Sequence, residues 1–169
     1  MKLGHVDGKN RIYDPDGNLI LQPSEKLLGK YENVFLDISK AWRVWFVDSI
    51  FPGEAGRVVC YLTNRRIVFI RRPDVHKAGA YLMTPYGATQ AIADRYKARM
   101  ILKAGGFEYC EISADNFRFY KKFRTGLNLL LNDDGQKYGA FIMTKDKSVS
   151  PELHPALLSW LESKGISRR

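Results

Sequence analysis

Short apolar runs broken by tight turns, followed by one amphipathic helix near the C-terminus, predict a mainly β chain of the α+β class. Three observations carry this. Residues 56–62 and 67–70 are rich in β-branched and aromatic side chains and are divided by Thr63-Asn64-Arg65-Arg66, the pattern of a β-hairpin that Pro73 ends. Residues 127–131 and 138–143 repeat the pattern around Asn132-Asp133-Asp134-Gly135. Ser150-Pro151 then supplies an N-cap with proline at the first helical position, and Leu153, Leu157, Trp160 and Leu161 recur at helical spacing before Gly165.

The other elements follow in chain order. Tyr13-Asp14-Pro15-Asp16-Gly17-Asn18 has the turn residues of an opening hairpin, so residues 1–22 read as an N-terminal hairpin extension. Leu27-Leu28 and Val34-Phe35-Leu36 read as strand. The aromatic run Trp42, Trp45, Phe46 and Phe51, closed by Pro52-Gly53, is expected to fill the core rather than to sit at a lipid interface. Residues 87–103 are rich in Ala, Arg, Lys and Leu between Pro85 and Gly105-Gly106, which makes 73–110 a helix-containing insertion. Phe117, Phe119, Lys121 and Phe123 alternate with Arg118, Tyr120, Lys122 and Arg124, the period of a strand with one packed and one wet face. All 169 residues are assigned to a single domain, since chains of about 100 to 200 residues usually fold around one core.

Composition excludes more than it assigns. With 45% apolar and 27% charged residues the chain is neither disordered nor a disulfide scaffold. No apolar run approaches the roughly 18 residues of a membrane span, and the N-terminal residues turn polar at once, so cytoplasm is the expected compartment. Cys60 and Cys110 lie in apolar contexts and read as reduced core residues. Nucleophile elbows, zincin motifs and Cys-x-x-Cys pairs are absent. Gly4-His5-Val6-Asp7-Gly8-Lys9-Asn10 is too short for a phosphate-binding loop and lacks its Ser/Thr. Asp14-Pro15-Asp16-Gly17 lacks the later carboxylates of a calcium loop, and His5, His76 and His154 are scattered. No catalytic residue, metal site or cofactor is assigned; an enzyme with a site assembled from distant residues is one alternative.

The charge points to a partner instead. Lys and Arg number 27 against 18 Asp and Glu, leaving +9, which favours anionic lipid, acidic protein or nucleic acid. Arg65 and Arg66 occupy a hairpin tip, about 20 Å from Arg71 and Arg72, and read first as solubilising charges at strand ends. Arg95, Arg99 and Lys103 recur every fourth residue and line one helix stripe, where repeated like charge is relieved by an anion or by water. Arg118, Tyr120, Lys122 and Arg124 are expected on one strand face at roughly 6.6 Å spacing, which suits phosphates beside an aromatic platform, the arrangement of a nucleic-acid groove.

Pro23-Ser24-Glu25-Lys26-Leu27-Leu28, the stretch 56–69 with its Leu62-Thr63-Asn64-Arg65-Arg66 turn, Ile112-Ser113-Ala114-Asp115-Asn116-Phe117, and residues 129–142 resemble a GRAM domain of the pleckstrin-homology superfamily. Together they cover about half the chain in the family's order. The resemblance implies a bent antiparallel, partly open β-barrel capped by the C-terminal helix. It also implies a non-catalytic module that contacts an anionic membrane surface or an acidic protein. The insertion at 73–110 departs from the family pattern.

Overall fold

Strand β2, Leu27–Lys40, organises the molecule because it pairs along both of its edges. Its N-terminal half lies against β3 (Gly56–Thr63) and its C-terminal half against β8 (Gln136–Met143). Two irregularities in the β2–β3 register, at Leu28 and at Glu32-Asn33, bend it between these neighbours; Asn33 has φ 58° and its carbonyl accepts a bond from Arg57 at 2.7 Å. The remaining strands are β1 (Lys2–Gly4), β4 (Arg66–Ile70), β5 (Tyr109–Ser113), β6 (Phe117–Lys122), β7 (Gly126–Asp133) and β9 (Ser167–Arg168). Helix α1 is Leu153–Ser163. This computed structural model describes residues 1–4, 12–14, 18–40, 56–71, 109–145 and 149–169. The aromatic run at 42–51 and the helix expected within 73–110 lie outside the described residues, while Tyr109 and Cys110 belong to β5.

The sheet order is β1-β5-β4-β3-β2-β8-β7-β6-β9, antiparallel throughout except for β9, which runs parallel to β6. Its two edge strands do not pair, so the sheet is bent but open. With α1 packed on it, this is the mainly β architecture with one C-terminal helix that the sequence predicts. The hairpins expected at 56–70 and 127–143 form. In the β7–β8 hairpin the turn residues Asp134 and Gly135 have φ 46° and 82°, the positive pair a two-residue turn needs to match strand twist.

Alternation sends Val34, Leu36 and Ile38 of β2, Leu127, Leu129 and Leu131 of β7, and Ile67 and Phe69 of β4 to one side, where they meet Leu153, Leu157, Trp160 and Leu161 of α1. Cys60 and Cys110 are buried on this side and form no disulfide, each registered opposite Phe69 from its own strand. A smaller cluster, Val59, Tyr61, Val68 and Ile70, faces the other way and is covered by Leu19 with Ile12 and Tyr13. Tyr13 bridges Leu19, and Asn18 donates to the Asp14 carboxylate at 2.7 Å, so this covering segment doubles back on itself.

The helix starts later than Ser150-Pro151 predicts: its N-cap is Glu152, and Ser150 accepts the Leu153 N–H through its carbonyl. It ends as expected. Gly165 at φ 69° donates to the Glu162 carbonyl and Ile166 to that of Leu161, a Schellman closure that also buries Ile166. Gly126 has the tightest backbone approach described: a Cβ there would collide with the Ile142 carbonyl of the neighbouring strand. Gly126→Ala is therefore expected to cost about 1–3 kcal/mol by forcing β7 away from β8, read as a lower denaturant midpoint at unchanged slope.

Candidate functional site

Two of the expected cations, Lys122 and Arg124, meet water at the β6–β7 turn, but not by the route that alternation predicts. The β6–β7 register slips between Phe117 and Phe119, leaving Arg118 as the extra residue of a bulge. Tyr120 then sits opposite Leu129 on the packed side and is only 3% exposed, while Phe119 turns outward beneath the Arg169 guanidinium at 4.6 Å. The expected wet stripe Arg118, Tyr120, Lys122 and Arg124 is thus corrected: the tyrosine belongs to the core and drops out of it. Lys122 follows Tyr120 on the packed side but lies where the sheet runs out, so its side chain is exposed.

What forms instead is a compact basic corner. The Phe123 N–H donates to the Gly126 carbonyl at 2.9 Å, and the Thr125 carbonyl accepts the N–H groups of both Thr144 and Lys145 at 3.1 Å. These bonds bring Lys145, just beyond β8, beside the turn that carries Lys122 and Arg124. All three side chains are exposed, and no described carboxylate forms an ion pair with them. Phe123, between two of the cations, is 37% exposed and meets Phe141 edge-on at 6.3 Å. Behind them His154 contacts the Thr144 hydroxyl through Nδ1 at 2.6 Å. Partial burial pulls its pKa below the ordinary histidine value, and the nearby Lys145 and Lys122 charges lower it further, so the imidazole is neutral at pH 7.

The hairpin-tip pair behaves otherwise. Arg65 is exposed and donates to the Pro23 carbonyl at 3.2 Å. Arg66 is 5% exposed: it grips Glu25 with two bonds of 2.8 Å and Glu111 with one ion pair of 2.9 Å. Burial pushes the Glu25 carboxyl up, but the Arg66 guanidinium, the Gln22 N–H and the Thr63 hydroxyl outweigh it and bring it down to about 2. Reading Arg66 as a surface anion contact is therefore corrected; segment 20–25 folds over it and supplies its counter-charge. Arg71 is buried as well, at 1% exposure, so it is not a solubilising charge. Arg72, and the stripe Arg95, Arg99 and Lys103, lie outside the described residues.

Lys145 is the residue sequence reasoning missed. Nothing in its neighbourhood in the chain marks it, because it joins the corner only through the Thr125 carbonyl. Among the described residues no cluster of His, Cys, Asp and Glu could hold a metal ion, and no described helix is long and apolar enough to cross a membrane. No known protein family matches the chain, and no curated protein matches it in sequence. Among solved structures it is similar to the Vps36 N-terminal PH domain, at 14% sequence identity and a TM-score of 0.46, over 89% of each chain.

Proposed function

We propose that this chain is a non-catalytic binding module of the PH-like, GRAM-like kind that docks on an anionic membrane surface through the corner formed by Lys122, Phe123, Arg124 and Lys145. One observation carries the reading: a partly exposed phenylalanine stands in a turn between two exposed cations, with a third tied beside it. A basic residue near an anionic leaflet contributes about 1 kcal/mol, and burying an aromatic ring contributes about 1.5–3 kcal/mol, enough together for reversible attachment. The net charge of +9 acts in the same direction at longer range. Nucleic acid is the weaker reading, because the bulge at Arg118 breaks the evenly spaced row of cations that would follow successive phosphates.

Sedimentation with vesicles of phosphatidylcholine, with and without phosphatidylserine, tests this. Binding should require phosphatidylserine and weaken as salt is raised. Lys122→Ala with Arg124→Ala should lower affinity by roughly 30-fold, about 2 kcal/mol, without moving the melting temperature. Equal binding to neutral vesicles, or full binding by the double variant, removes this corner from consideration.

A further inference from the structure

The far end of β3 carries a second exposed surface with a different composition. A regular strand hides one of two successive side chains. Here the β2–β3 register slips between Leu27 and Gly29, and both leucines remain in water, at 46% and 57% exposure. Ile20 and Leu21 add to them at 44% and 41%.

The β3–β4 turn fixes these residues in place. Leu27 is registered opposite Thr63; Asn64 exchanges bonds of 2.8 and 3.0 Å with the Lys26 backbone; and the Ile20 carbonyl accepts from Arg66 at 3.3 Å. The rim is basic. Lys26 and Arg65 are exposed beside the leucines, and Lys164 stands 5.9 Å over the ring of Trp160, whose indole N–H donates to the Thr63 carbonyl.

We propose that the aliphatic patch Ile20, Leu21, Leu27 and Leu28 is a docking surface for a partner protein, and that its occupant is an aliphatic segment flanked by acidic residues. Charge selects this occupant. A second copy of the chain, packed face to face, would set the same three cations against one another. Along β3 the patch and the residues nearest the basic corner are six positions apart, about 20 Å, so a domain seated on a bilayer by that corner leaves the patch free for a protein. The choice of a protein over a bilayer as occupant rests on the membrane reading of that corner; together the two would make the domain a bridge.

The test is a displayed library of random peptides, selected in parallel on the wild-type chain and on Leu27→Ser with Leu28→Ser. Peptides enriched only on the wild type should carry aliphatic residues flanked by Asp and Glu. A synthetic peptide from that pool should bind Arg65→Glu about tenfold more weakly. Its amide shift changes should map to 20–28 and 63–65, not to 122–125. Both variants should melt like the wild type and keep their binding to phosphatidylserine vesicles. Pools that do not differ, or enriched peptides without acidic residues, overturn the proposal. Loss of vesicle binding by the leucine variant also overturns it, because the patch would then be a lipid contact, and this outcome is separable from failure at Lys122 and Arg124.

Discussion

Replacing Trp160 with alanine should lower the unfolding free energy by about 3–5 kcal/mol, an effect of the size that removing a buried aromatic from a close-packed core produces. The ring is 3% exposed, meets Phe117 edge-on at 5.5 Å, and uses its indole N–H to satisfy the Thr63 carbonyl. Alanine would leave a cavity between α1 and the sheet and strip that carbonyl of its donor. Trp160→Phe separates the two contributions: it keeps most of the apolar contact and should cost about 1–3 kcal/mol for the unsatisfied carbonyl. Removal of residues 150–169 takes away the whole Leu/Trp stripe and should abolish cooperative unfolding. Chemical denaturation followed by far-ultraviolet circular dichroism reads all three. A loss below about 1 kcal/mol for the alanine variant would mean that the helix is an ornament on a self-sufficient sheet.

Arg66→Met should be as damaging, for an electrostatic reason. It leaves Glu25 and Glu111 buried without their shared counter-charge, and breaking a buried pair in this way costs about 3–5 kcal/mol near pH 7. The pH dependence identifies the cause. In the wild type the Glu25 carboxyl lies at about 2 in the folded state against 4.5 unpaired, so its contribution is complete above about pH 4.5 and is lost as pH falls toward 2. Without Arg66 the Gln22 and Thr63 bonds remain but the pull of the guanidinium is gone, so burial holds the carboxyl above its wild-type pKa and the folded variant takes up its proton at a higher pH than the wild type does. The gap between wild type and variant should therefore narrow steadily from pH 7 to pH 4. A gap that stays constant across that range would mean that lost packing of the arginine stem, not the stranded carboxylates, explains the damage. Glu25→Gln and Glu111→Gln introduced together with Arg66→Met should recover much of the loss at pH 7.

The features legible in the sequence are those set by local periodicity and turn chemistry. The two hairpins show themselves through Thr63-Asn64-Arg65-Arg66 and the Asp134-Gly135 turn, and the helix through a stripe that only a docked face explains. The errors arise where one extra residue or one distant partner decides. Alternation alone placed Tyr120 in water, and the bulge at Arg118 inverted the rest of β6. Arg66 looked like a tip charge because Glu25 and Glu111, its partners, lie 41 and 45 positions away and reach it only through segment 20–25 and strand β5. Lys145 joins the corner across the sheet for the same reason. Register and long-range ion pairing are properties of the assembled sheet, and pattern within one strand cannot report them.

Docking through the basic corner requires residue 123 to meet the bilayer. Cys60 and Cys110 are buried, and burial holds the Cys60 thiol well above its usual pKa, so a cysteine introduced by Phe123→Cys is the site that a spin label will take. On vesicles containing phosphatidylserine, the label at 123 should become accessible to oxygen and shielded from a water-soluble nickel chelate, while a label at Leu28→Cys stays in water. A label at 123 that remains open to the chelate while the protein is vesicle-bound, or one at 28 that becomes shielded, would contradict it.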